Sequence, residues 1–169
     1  MLNKLVLLSL VILLPACMTH NYVPKEYVLE DGRISQFPVA GTVQVNNLQP
    51  NDEKTILFSA GSAWEGDYKS ITEHLRWQLD KEIQKNGVKK SSASQKTIGV
   101  KVTSLSGIKG TVNFSAAMNF TVTLGNGEIL EKHVTVGGPG NVWRKFNGAF
   151  AWGVIEILKD EKVKKYLSE

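Results

Sequence analysis

The stretch Thr111-Val112-Asn113-Phe114-Ser115-Ala116-Ala117-Met118-Asn119-Phe120-Thr121-Val122-Thr123-Leu124 sets Val112, Phe114, Ala116, Met118, Phe120, Val122 and Leu124 on seven successive even positions. The odd positions between them carry Thr, Asn, Ser and Ala. A period of two over that length predicts a long strand with one buried face. Outward from it, Gly125-Asn126-Gly127 read as a three-residue loop sets Leu124 opposite Glu128, Val122 opposite Leu130 and Met118 opposite Val134. A two-residue loop would put Val122 against Glu131, which burial forbids. On the other side, Ile98, Val100 and Val102 alternate with polar neighbours. A turn at Ser106–Gly110 would then set Val102 opposite Phe114 and Val100 opposite Ala116. The expectation is a three-stranded antiparallel meander.

The flanking segments supply the rest of an α+β domain over 42–169. Val43, Val45 and Leu48 suggest a first strand, and Gln49-Pro50-Asn51-Asp52 a turn. Thr55–Ala60 is a second apolar stretch, and Gly61–Asp67 reads as a loop. Ser70-Ile71-Thr72-Glu73 has the form of a capping box and Gly87 that of a stop, predicting a helix over 71–86 with the stripe Ile71, Leu75, Leu79, Ile83. After Gly137–Gly140 a second helix is predicted over 147–159, with Phe146, Phe150, Val154 and Ile157 inward, then a short helical turn Val163–Leu167. Both helices are expected on one face of an antiparallel sheet.

The amino terminus has a different character. Lys4 precedes an apolar run from Leu5 to Leu14, broken only by Ser9, and Pro15-Ala16-Cys17 follows. Ten apolar residues rise about 15 Å as a helix, half a bilayer core, so the run reads as a secretory signal rather than a span. Leu14-Pro15-Ala16-Cys17 resembles the lipobox of bacterial lipoproteins. That resemblance implies a signal peptide over 1–16 and acylation of Cys17, the only cysteine. Met18 in place of Asp implies sorting to the outer membrane, with the domain facing the periplasm. Residues 17–41, with Pro24, Gly32, Pro38 and no sustained periodicity, read as a tether.

The order of elements, with Phe146-Asn147-Gly148-Ala149-Phe150 opening the last long helix, resembles the YajG-like lipoproteins. Similar architecture occurs in the amino-terminal domain of TolB and in lipoprotein activators of penicillin-binding proteins. The resemblance implies envelope location and fold, and no particular activity.

Few residues suggest chemistry. Removal of residues 1–16 lowers the formal net charge from +4 to +3, too little and too evenly spread for nucleic acid. His20, His74 and His133 share no metal-ligand spacing and read as surface or edge histidines, so neither metal nor cofactor is expected. No Gly-x-Ser-x-Gly element occurs, and the expectation is a non-enzymatic protein. Trp77 falls opposite the apolar stripe of the first helix, and Trp152 points away from that of the second. Outward tryptophans favour partner contact, so a protein-binding accessory role in the envelope is the leading expectation. The alternative is a glycan or small-ligand binder, or a hydrolase, using the loop residues Trp64, Glu65, Asp67 and Tyr68. The uncharged Thr/Asn/Ser face of the meander is a further candidate surface.

Overall fold

A computed structural model describes residues 18–169. Cys17, its acylation and the signal segment lie outside the described residues. The chain forms β1 (Thr19–Asn21), β2 (Phe37–Asn47), β3 (Lys54–Ser59), β4 (Ala63–Asp67), α1 (Tyr68–Asn86), β5 (Gly87–Lys109), β6 (Phe114–Leu124), β7 (Ile129–Val136), α2 (Val142–Lys159) and α3 (Glu161–Ser168). It is an α+β fold with two sheets, ordered β2-β5-β6-β7 and β1-β4-β3.

The expected meander is present as β5-β6-β7. Met118 pairs with Val134 and Val122 with Leu130, as the three-residue loop requires. The β5–β6 register differs from expectation. Val102 pairs with Phe120 and Val100 with Val122, because β5 continues to Lys109 and turns at Gly110–Asn113. A bulge at Thr103 moves the inward set from Ile98, Val100 and Val102 to Leu105 and Gly107. That bulge is supported from both sides: Thr72 Oγ1 accepts from Val102 N at 3.0 Å, and Gln49 Nε2 donates to Val102 O at 2.7 Å. The backbone groups that lose a ladder partner are thereby satisfied.

Three further expectations are corrected. The large sheet is mixed, since β2 joins β5 in parallel, with β3, β4 and α1 forming the crossover. Residues 61–67 are not a loop: Ala63–Asp67 is the central strand of the small sheet. Residues 18–41 are not a free tether. Thr19–Asn21 pairs in parallel with Ala63–Glu65, Tyr22, Leu29 and Ile34 are buried, and β2 begins at Phe37. The segment 22–36 crosses the helices as a strap.

Helix α1 starts at an Asp67 cap whose side chain accepts from Ser70 N, one turn earlier than the capping-box reading, and passes into β5 at Gly87 without a loop. Helix α2 starts at an Asn141 cap, earlier than expected because Val142 and Trp143 already belong to it. Its Gly153 lets the backbone approach the sheet: a Cβ there would meet Met118 at 2.8 Å and Phe120 at 3.4 Å. One core joins the two helices to the sheet, with Ile71, Leu75, Leu79, Phe146, Phe150, Val154 and Ile157 each fully buried. Asp160 caps α3 and pairs with Lys132; burial alone would raise its pKa, but the Lys132 ammonium and two backbone N–H groups hold it below the usual carboxylate range.

Candidate functional site

The strap lies between the exposed sides of α1 and α2 and is bound to both. On the α1 side, Gln78 Nε2 donates to Tyr27 O at 2.8 Å, Lys81 pairs with Glu26, and Lys85 pairs with Asp31 at 2.6 Å. On the α2 side, the Tyr22 hydroxyl and Lys25 N both donate to Asn147 Oδ1, at 2.6 and 3.1 Å. Burial pushes the Tyr22 phenol far up, so it stays a neutral donor.

Trp77 and Trp152 flank this strap, each a little over a third exposed, at 39% and 38%. Each ring also carries a cation: Lys81 Nζ lies 5.5 Å from the Trp77 centroid, and Arg33 Cζ lies 5.1 Å from that of Trp152. Between strap and α2 is a groove of about 480 Å³ whose lining includes Tyr27, Val28, Arg33, Arg144 and Trp152. Val23, Tyr27 and Val28 are exposed on the strap itself. The strap residues escaped sequence reading because nothing in their spacing is periodic. The visible signal was aliphatic and aromatic side chains in an otherwise polar segment.

Of the alternative ligand-loop residues, Glu65 and Asp67 line a small cavity of about 210 Å³ with Tyr22, Lys54 and Ser70, whereas Trp64 and Tyr68 do not reach it. Trp64 stacks on His20 at 4.4 Å and meets Trp143 at 3.5 Å between ring centroids. Glu65 pairs with Lys54 at 3.4 Å, Asp67 caps α1, and Tyr68 is the first helical residue. Their strand and cap roles account for the four. Trp143, which completes the aromatic row, carried no sequence signal of its own. Among the described residues no group of three His, Cys, Asp or Glu side chains could hold a metal ion.

His133 sits on the open sheet face, with Nδ1 2.6 Å from Asn119 Oδ1, as its register position implies. His74 is not a surface histidine. Its ring packs edge-on to Phe150 at 5.0 Å and 5.7 Å from Trp77, and Nε2 is buried without a hydrogen-bond partner. Burial lowers its pKa, opposed by a backbone contact from Lys25 and by the Glu26 charge. The folded chain thus takes up this proton less readily than the unfolded chain does. The stability His74 confers is full above the unfolded value near about 6.5 and is lost as pH falls through the lower folded value. The urea midpoint is expected to drop between about pH 7 and pH 5, with a shallower drop in His74→Gln. Equal slopes would remove His74 from the account.

No family model matches the chain, and no curated protein matches it. Among solved structures it is similar to protein XCC0632 from Xanthomonas campestris, of the family DUF330. The identity is 14% and the TM-score 0.53, over 82% of this chain and 92% of that one. At this identity the likeness is one of fold.

Proposed function

We propose that the chain is a non-enzymatic, lipid-anchored module of the bacterial envelope that holds a protein partner on its strap face. The observation that carries this reading is the placement of Trp77 and Trp152 on either side of the strap, each over a third exposed, with Val23, Tyr27 and Val28 exposed on the strap itself. Large aromatic side chains at the centre of a rimmed apolar patch are the residues on which protein interfaces concentrate their binding energy. The ion pairs Lys81–Glu26 and Lys85–Asp31 supply a polar rim. The likeness of Leu14-Pro15-Ala16-Cys17 to a lipobox, and of the element order to the YajG-like lipoproteins, supports acylation of Cys17 and outer-membrane attachment facing the periplasm.

Crosslinking in the native envelope tests the partner. The Trp77→Ala, Trp152→Ala double variant is expected to lose at least one crosslinked product that the wild type forms, with its thermal midpoint little changed. An identical set of products would sink the reading. Palmitate labelling tests the anchor separately, since Cys17→Ser is expected to take up none.

A further inference from the structure

Four parts of the chain converge at one end of the large sheet. β5 and β6 close there at Gly110–Asn113, with Gly110 N donating to Asn113 O at 2.8 Å. The β3–β4 turn reaches the same end through Phe58, whose ring meets Phe114 at 5.8 Å. A Cβ on Gly107 would touch both Phe58 and Val142, which brings in the start of α2, and Trp143 beside it meets Trp64. Met18, the first described residue, accepts from Ala63 N at 3.1 Å, so the chain also enters the folded body here.

The chemistry of this end differs from that of the rest of the surface. Residues 18–21, 59–64, 104–117 and 134–145 contain no Asp or Glu, whereas the whole chain has 16. They do contain exposed Lys109, and Lys145, which is buried and donates to Gly137 O at 3.3 Å; Arg144, also exposed, turns to the strap groove. Large aliphatic side chains stand in solvent: Val112 is 86% exposed, Met18 61% and Ile108 52%. Trp64 and Trp143 lie half-buried behind them. Exposed aliphatics taken singly are ordinary. Aliphatic tips backed by tryptophans, with cations and no carboxylate, match the layered chemistry of a bilayer interface.

The position of this end in the chain points to the same occupant. Met18, the covalent neighbour of Cys17, is hydrogen-bonded into the β1–β4 pair. Whether Cys17 carries acyl chains or the apolar run Leu5–Leu14 stays attached, the lipid-seeking group precedes Met18 in the chain, and Met18 is fixed at this end.

We infer that this end rests on the lipid bilayer surface: Met18 and the β5–β6 tip with Ile108 and Val112 enter the headgroup layer, Trp64 and Trp143 lie at its boundary, and Lys109 faces lipid phosphate. The inference rests on membrane attachment near residue 17 and is independent of the strap face as a protein-docking surface.

Full-length protein in vesicles of phosphatidylethanolamine and phosphatidylglycerol, with and without brominated acyl chains, tests it by tryptophan emission. A variant with Trp77→Phe and Trp152→Phe keeps only the anchor-end pair and is expected to lose about half its emission in brominated vesicles. The converse variant, Trp64→Phe with Trp143→Phe, is expected to lose little. Equal quenching in the two, or none in the first, overturns the inference. Ile108→Glu with Val112→Glu, at exposed tip positions, is expected to abolish most of the quenching while the protein still sediments with the vesicles. Quenching that persists there overturns the tip contact. Folded protein that fails to sediment at all overturns membrane attachment and the inference together, and leaves the crosslinking result to judge the strap face by itself.

Discussion

Phe150→Ala is expected to destabilise the domain by about 3–5 kcal/mol. Phe150 is fully buried on α2, facing the His74 ring at 5.0 Å. The cavity left behind cannot readily collapse, because one turn further on Gly153 already holds the helix backbone against Met118 and Phe120. A domain of this size has a total stability of about 5–15 kcal/mol, so the loss would be a large share of it. Urea unfolding with an unchanged m-value measures it. Trp152→Ala, two residues along the same helix but over a third exposed, is expected to cost under about 1 kcal/mol. Similar losses at the two positions would mean that the helix face has been assigned wrongly.

Gly41→Ala is expected to cost about 2–4 kcal/mol. Gly41 has φ +79, and a Cβ there would overlap the backbone carbonyl oxygen of Ser94 and stand 2.6 Å from its hydroxyl. This is the point where β2 slips against β5: Ala40 pairs with Lys90 but Thr42 with Gln95, and Ser94 Oγ donates to Ala40 O at 2.9 Å. The obstacle is backbone, so no rotamer change relieves it. Gly32 is the internal control. It has the same φ, +79, and a methyl group there would have nothing within 4 Å, so Gly32→Ala meets only the left-handed penalty of about 1–2 kcal/mol. The difference between the two midpoints isolates the steric part, and its absence would mean the β2–β5 slip can relax.

What the sequence showed and what it hid follow from the same physics. The β6–β7 register was legible because one face is buried along its whole length and only one loop length keeps Val122 and Leu130 together. The β5–β6 register was not, since one extra residue at Thr103 reverses the inward parity without leaving a mark in composition. The first part of β5 was hidden too. Lys89 to Gln95 is polar, is flanked by β2 alone, and shows no alternation. The strap's buried Tyr22, Leu29 and Ile34 follow no helical or strand period, because each is held by what the helices offer rather than by a ladder. At the candidate site, the outward directions of Trp77 and Trp152 came from helical spacing, and both are partly exposed. That the strap runs between them needed the tertiary structure. Glu65 and Asp67 resemble free loop carboxylates in the sequence because the five-residue strand Ala63–Asp67 carries Gly66 and little periodicity.

The parallel pairing of β2 with β5 has a consequence for the order of assembly. β6 and β7 meet across a three-residue loop, β5 and β6 across a short turn, and α1 runs straight into β5. These contacts are local and close early. β2 must wait for a partner about 50 residues downstream, and β1 for one about 44 residues away, so both carry the larger loop-closure entropy. The part of the chain synthesised first is therefore the part that docks last, and until β5 arrives β2 is an unpaired strand open to wrong partners.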